Sequence, residues 1–202
     1  MNQFLLPVGA PRPERADAVR NRLLLLSTAR EMIAEQGVEK LTMDGLAERS
    51  GLGKGTVFRR FGSRAGIFQG LLDDDERALQ EEVLSGAPPL GPGAGPVERL
   101  VAYGRARIDF QLRHYAIARA ALDGSRPVPA GEGTISRVHL RVLLGEADLH
   151  GADLDMLAVQ LTAALEGPFL LYLTASGQED PTRHVDRMAQ AWQDLVERIC
   201  RG

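Results

Sequence analysis

Apolar residues recur along most of this 202-residue chain at the spacing of an α-helix, and no run of β-branched residues alternates with polar ones. That pattern restricts the chain to an all-α fold. The spacing predicts helices over residues 14–36, 43–50, 54–60, 97–122, 134–149, 154–175 and 181–201, with a break near the end of 97–122, and a long helix capped by Ser63 and running through Leu84. Thr42 is placed to cap the short second helix, and Asp44 favours its positive end. The eleven residues from Gly86 to Pro96 hold four glycines and four prolines, so no helix crosses them, and residues 125–133 form a second loop of the same kind. Three segments are expected: a flexible leader over residues 1–20, a first domain over 21–80 and a second over 81–202. There is no internal repeat.

Composition excludes several classes. Hydrophobic residues at 44% and charged residues at 25% are ordinary globular usage, which excludes a disordered or fibrous chain. The most apolar segment, Leu154 to Ala175, is interrupted by Asp155, Gln160 and Glu166, which argues against a membrane span. The apolar run Phe4 to Val8 has no basic residue before it, so it reads as a non-cleaved leader. A single cysteine, Cys200, forms no internal disulfide, and four scattered histidines give no metal-ligand spacing. The expectation is a cytoplasmic protein with no metal and no cofactor. The net charge of −3 hides an asymmetry: residues 1–70 hold 11 Lys and Arg against 7 Asp and Glu, and residues 71–202 hold 13 against 20. The basic third is N-terminal, the distribution expected when one segment meets nucleic acid.

Within that third, Thr42 to Phe61 has helix-turn-helix spacing. Ala47 is small where two helices would cross, Gly51 suits the positive φ of a tight turn, and Leu46, Leu52, Val57 and Phe61 fill the space beneath both helices. Two packed helices without a nucleic-acid role would show the same spacing. The outward side of the second helix decides between the two, because Lys54, Thr56, Arg59 and Arg60 fall within seven residues that contain no acid. A merely solvated face mixes signs. Arg and Lys neutralise phosphates, Arg pairs with a guanine edge, and Thr touches bases by methyl or hydroxyl. Gly55 allows close approach to DNA, and Ser63 and Arg64 open the next helix, where amides and a cation hold a further phosphate.

These residues carry a resemblance to the tetracycline-repressor-like (TetR) transcriptional regulators. It rests on Ala29 to Gly37, Leu41-Thr42, Leu46-Ala47, Ser50-Gly51-Leu52, Lys54 to Phe58, Phe61 and Ser63-Arg64, and covers about Asn21 to Gln80. Beyond that it is a resemblance of layout. It implies a homodimer whose two N-terminal domains insert their second motif helix into successive major grooves of a palindromic operator, as a repressor released by a small-molecule effector that binds the C-terminal domain. The DNA contacts it implies are Thr42, Lys54, Gly55, Thr56, Phe58, Arg59, Arg60 and Arg64. Gly53 stands where the family often caps this helix with Ser or Thr, and Phe58 replaces the usual Tyr, so no hydroxyl is present there to bind phosphate. Arg60 and Arg64 stand where His or Tyr, and Lys, are common.

An enzyme is not expected. Gly51 to Thr56 mimics a phosphate loop, but its spacing departs from that motif and no strand precedes it. The four histidines lack a nucleophile or carboxylate at fixed spacing. The other reading is a helical protein-binding adaptor with a degenerate helix-turn-helix, against which the basic second helix argues.

In the C-terminal segment, Val185, Met188, Ala189, Trp192, Leu195, Val196 and Ile199 form one apolar stripe, and the preceding helix is apolar nearly all round. Four such helices from two chains would satisfy both, which places Leu161, Met188, Trp192, Leu195 and Ile199 at a dimer interface. Tyr103, Arg107, Phe110 and His114 fall at i, i+4, i+7 and i+11. They are either a boundary face with polar tips in water or, with Glu166 and Phe169, the wall of an effector pocket coupled to the first domain through the fourth helix. Glu166 on so apolar a helix needs a partner, either Arg107 or His114 across the cavity or a cationic ligand.

Overall fold

The computed structural model describes residues 13–122, 134–149, 151–174 and 181–201, and the chain divides into two compact units, Met1–Leu71 and Leu72–Gly202. The described residues are helical apart from short connections, as the spacing predicts.

The first unit holds α1 (Pro13–Gln36), α2 (Met43–Ser50), α3 (Lys54–Phe61) and the start of α4 (Arg64–Ser85), with one 3-10 turn at Val38–Lys40. α1 begins at Pro13, so residues 13–20, assigned to a flexible leader on the sequence, are helical. Residues 1–12, including the apolar run Phe4 to Val8, lie outside the described residues. The stripe on α1 delivers Leu25, Leu26, Ala29 and Met32 to the interior, where they meet Leu41, Leu46, Ala47 and Val57, and α4 adds Ile67, Phe68 and Leu71. Each of the large side chains contributes about 1.5–3 kcal/mol by leaving water, before the ordering of the chain is subtracted. Ser63 accepts from the Gly66 amide at 3.1 Å and so caps α4, the role its position predicts.

The second unit comprises the rest of α4, then α5 (Pro96–Arg113), α6 (Tyr115–Ala121), α7 (Thr134–Glu146), α8 (Leu154–Thr174), a 3-10 turn at Pro181–His184 and α9 (Val185–Arg201). Pro96 opens α5 at a position where its missing N–H leaves nothing unsatisfied, and Glu98 accepts from the Gly95 amide at 3.3 Å. The expected break within 97–122 falls at His114, whose φ of −92° and ψ of 5° end α5 and start α6. The second expected loop, 125–133, lies outside the described residues. α5 is the central helix, packed on α7, α8 and α9. Its Leu100, Tyr103, Ile108 and Leu112 share one core with Leu140, Leu143 and Leu144 of α7, Ala158, Leu161 and Leu165 of α8, and Trp192 and Val196 of α9. By length and composition alone α8 could cross a membrane. Its Ala158, Leu161 and Leu165 are instead buried in this core, and its Glu166 lies against Arg107.

The tightest packing in this unit is between Gly104 of α5 and Trp192 of α9. The Trp192 indole N–H donates to the Leu100 carbonyl at 3.0 Å, and a Cβ on Gly104 would stand 1.9 Å from that nitrogen. Gly104→Ala therefore drives the indole out of its slot, at a cost of about 1–3 kcal/mol. A fall in the melting temperature with a red shift in the emission of this sole tryptophan is the expected result, and an unchanged melt would contradict the packing.

Candidate nucleic-acid interface

The helix-turn-helix is built by local signals. The Thr42 hydroxyl accepts from the Gly45 amide at 3.0 Å and caps α2, and Gly51 turns the chain towards α3 at φ 70° and ψ 10°, a left-handed conformation that disfavours residues with a Cβ. α3 then starts at Gly53 without a side-chain cap, as the glycine there dictates. Leu46, Ala47 and Val57 are fully enclosed, while Leu52 and Phe61 are half-buried, so the expected filling of the α2–α3 corner is observed in full for Leu46 and Val57 and in part for the other two. Arg49 at the end of α2 grips Glu35 of α1 with both guanidinium arms and approaches Glu31 at 3.6 Å. The Arg49 hydrogen bonds hold the Glu35 carboxyl below its usual range.

The eight predicted contact residues differ in how free they are. Lys54, Gly55, Phe58 and Arg59 are exposed and Thr56 is half-exposed. No acid occurs within α3, and the Phe58 ring stands 64% in solvent with no hydroxyl to satisfy. Nothing lies within 4 Å of the position a Cβ on Gly55 would take. Lys54 pairs with Asp44 of α2 at 2.9 Å, both side chains well exposed, an arrangement that salt and competing phosphates readily loosen. Among the described residues Arg59 has no partner at all, so its fork of donors is available to whatever docks on α3.

Arg60 and Arg64 are engaged within the protein. Arg60 donates to the Ala18 carbonyl of α1 at 2.5 Å. Arg64 donates from Nε to the Leu41 carbonyl and from Nη2 to the Val38 carbonyl, both at 2.7 Å, and lies 4.9 Å from the centre of the Phe68 ring. It fastens the segment before α2 to the start of α4. The sequence places Arg64 correctly beside the motif but carries no sign of these carbonyls, which lie 23 and 26 residues earlier.

In the second unit the six residues expected to line a pocket separate into two groups. Arg107 bonds Glu76 of α4 and lies 3.8 Å from Glu166, so the anticipated Arg107–Glu166 pairing exists, with one cation facing two carboxylates. Burial pushes the Glu166 carboxyl above its usual range, Arg107 opposes that less strongly, and Glu166 Oε1 is buried with no hydrogen bond. His114 meets Asp75 through Nε2 at 2.9 Å and the Phe110 carbonyl through Nδ1 at 2.7 Å, and the Phe110 ring covers both His114 and Arg107. Tyr103 and Phe169, by contrast, face cavities. Phe169 lines an apolar one of about 240 Å³ with Ile108, Leu165, Pro168 and Trp192. Tyr103 lines one of about 530 Å³ between α4, α5 and α7. Arg107, Phe110, His114 and Glu166 line neither.

The residues expected at a dimer interface also divide. Leu161 and Trp192 are buried in the protomer's own core, Met188 and Ile199 pack against its edge, and Leu195 shows 37% of its surface. The stripe on α9 faces α5, which explains its regularity without a partner. The apolar surface left open belongs to α8, through Met156, Val159 and Leu171 with the exposed Ala163 and Ala164 between them.

A helical N-terminal unit presenting a one-sign helix from a helix-turn-helix has the architecture of a DNA-binding domain. Residues 25–71 match the model described as bacterial regulatory proteins, tetR family. It is 34% identical over 53 residues to an HTH-type transcriptional regulator of Staphylococcus aureus, an alignment covering 26% of this chain and 29% of the relative. Two solved structures share the fold along nearly the whole chain. A TetR-like transcriptional regulator from Rhodococcus sp. superposes with a TM-score of 0.52 at 20% identity, over 96% of this chain and all of that one. A TetR/AcrR-family regulator from Thermobifida fusca gives a TM-score of 0.58 at 19% identity, over 87% of this chain and 97% of that one. These relatives are regulators of transcription and not enzymes.

Two substitutions test this description. Arg64→Ala removes two charge-assisted bonds to backbone carbonyls and is expected to destabilise the first unit by about 1.5–3 kcal/mol in urea unfolding, whereas Arg59→Ala stays within about 0.5 kcal/mol of wild type. Glu166→Gln keeps the shape of the side chain and removes a carboxylate whose charged form is disfavoured in the fold. It is expected to raise the melting temperature at pH 7, with a gain that shrinks as the pH falls through 4.5 and disappears below it, where the carboxyl of the wild type is protonated folded and unfolded alike.

Proposed function

We propose that this chain is a homodimeric repressor that binds a palindromic operator through α3 and is released from it by a small molecule held in the second unit, acting in the cytoplasm. The observation that carries the reading is the outer face of α3, where Lys54, Gly55, Thr56, Phe58 and Arg59 stand open and Arg59 lacks any partner among the described residues. Thr42 belongs to the same surface, as the cap of α2. Arg60 and Arg64 enter as positioning groups, Arg64 by holding the segment before α2 and Arg60 by binding α1, with outer guanidinium nitrogens still able to meet a phosphate.

Two-fold symmetry follows from the other half of the reading. The exposed face of α8 carries Met156, Val159 and Leu171 around small alanines, a surface on which a second copy of the same helix packs closely. Leu195 of α9 adds to it. A symmetric pair would set two α3 helices on half-sites about 34–36 Å apart along one side of the duplex, so the operator is an inverted repeat. Release requires that the effector favour one arrangement of the dimer over another, since a ligand bound equally by both shifts nothing.

Selection of bound duplexes from a random pool should return an inverted repeat. Arg59→Ala is expected to weaken the selected site by about 1–3 kcal/mol while leaving bulk non-specific binding nearly intact. Recovery of no preferred sequence would favour a protein-binding adaptor instead. Val159→Glu on the open face of α8 should give a folded monomer by sedimentation equilibrium and a large loss of operator affinity. A Val159→Glu chain that still dimerises would place the interface elsewhere.

A further inference from the structure

The cavity between α4, α5 and α7 combines two features that an ordinary packing gap lacks. Its volume of about 530 Å³ is within the range of small-molecule sites. Two polar groups in its wall are also left without partners: Arg99 Nε and His139 Nε2 are both out of contact with solvent, and neither makes a hydrogen bond. A buried guanidinium nitrogen with no acceptor is costly, and the cost disappears when an acceptor arrives.

The charges around the cavity indicate the kind of acceptor. Glu76, the acid in the wall, is already bound to Arg107. Tyr103 donates its hydroxyl to Ser136 at 2.6 Å, and its ring lies 4.8 Å from that of His139. Among the described residues Arg99 is thus the charge of the wall without an acid beside it, and it is positive. Burial and the Arg99 charge together hold the His139 imidazole down at about 4, so His139 is neutral at physiological pH and the wall is not doubly charged. Apart from Gln80 the remainder of the wall is apolar, with Val83 buried and Leu84, Val138 and Val142 at least half exposed, an open apolar surface that a ligand would cover.

We propose that this cavity binds a small amphipathic carboxylate, with its head group on Arg99 and His139 and its hydrocarbon body along Val83, Val138 and Val142. The inference deepens the effector reading above by naming the ligand's chemical class, and it moves the site away from Arg107, Phe110, His114 and Glu166. A cationic ligand would meet Arg99 with no free acid to balance it, and a neutral one could accept its hydrogen bond but would leave its charge unbalanced.

The test uses the full chain and three probes of equal chain length: octanoate, octanol and octylamine, the last cationic at neutral pH. Calorimetry should show octanoate binding at one site per chain, with the other two weaker by about tenfold or more. Arg99→Met should cost octanoate a similar factor and leave octanol unchanged. Val142→Trp, made at an exposed position and so compatible with folding, should fill the cavity and weaken all three, while circular dichroism shows both variants folded. Absence of octanoate binding, equal affinity for the three probes, or octanoate affinity unchanged in both variants would overturn the proposal. So would a wild-type dimer that Val142→Trp converts to monomer, because this face would then be an interface between copies. Duplex binding is measured separately without probe. A chain that binds its selected duplex but not octanoate leaves the regulator reading standing and removes this one, and a chain that binds octanoate through Arg99 but no duplex does the reverse.

Discussion

A helix of eight residues with a single fully enclosed side chain, Val57, has no means of holding its own shape in water, and the first unit is organised around holding it. Three devices do so. The left-handed turn at Gly51 sets the direction of α3, and Leu46 and Ala47 of α2 sit beneath it. Arg60 ties α3 to α1, while Arg64, just past its end, anchors the start of α4 to the backbone before α2. The basic surface is therefore held by groups of two kinds, apolar ones below and guanidinium groups at the side. Because Arg60 and Arg64 are turned towards backbone carbonyls, the positive charge that α3 offers most openly is concentrated on Lys54 and Arg59.

The second unit follows a different logic. α5 lies among α7, α8 and α9, and the fit of Gly104 against Trp192 draws α9 close enough for the indole to reach a carbonyl of α5. Polar groups of α5 also contact α4 and α8, His114 meeting Asp75 and Arg107 meeting Glu76 and Glu166. Arg107 serves two carboxylates, and Glu166 is the one whose charged form burial disfavours.

Helix ends were readable in the sequence because the residues that make them act locally. Thr42, Ser63, Gly51 and Pro96 each do what their chemistry requires within three or four residues, and the boundaries of α2, α3 and α4 and the start of α5 lie within a residue or two of expectation. Partnerships across the fold were less readable. A stripe at helical spacing shows that one side of α9 is buried but not against what, and Trp192 fits the slot over Gly104 rather than a second chain. The basic patch shows that four cations lie close together in sequence but not that Arg60 and Arg64 curl back onto carbonyls distant in the chain. Arg107 and Glu166 were legible as a pair because a carboxylate on so apolar a helix has few ways to be tolerated. The Arg99 and His139 wall was missed. Neither residue belongs to an apolar stripe or a charge run, and only the missing hydrogen bonds reveal them.

Gly55 brings a trade-off into the middle of the outer face of α3. Nothing in the protein occupies the space where its side chain would be, and alanine there would strengthen α3 by about 0.5–1 kcal/mol. The helix with the least internal support thus carries a residue that weakens it further, at the point facing outward. If α3 docks on a duplex as proposed, thermal robustness and close approach pull in opposite directions at this one position, and a chain selected only for heat resistance would trade contact for stability there.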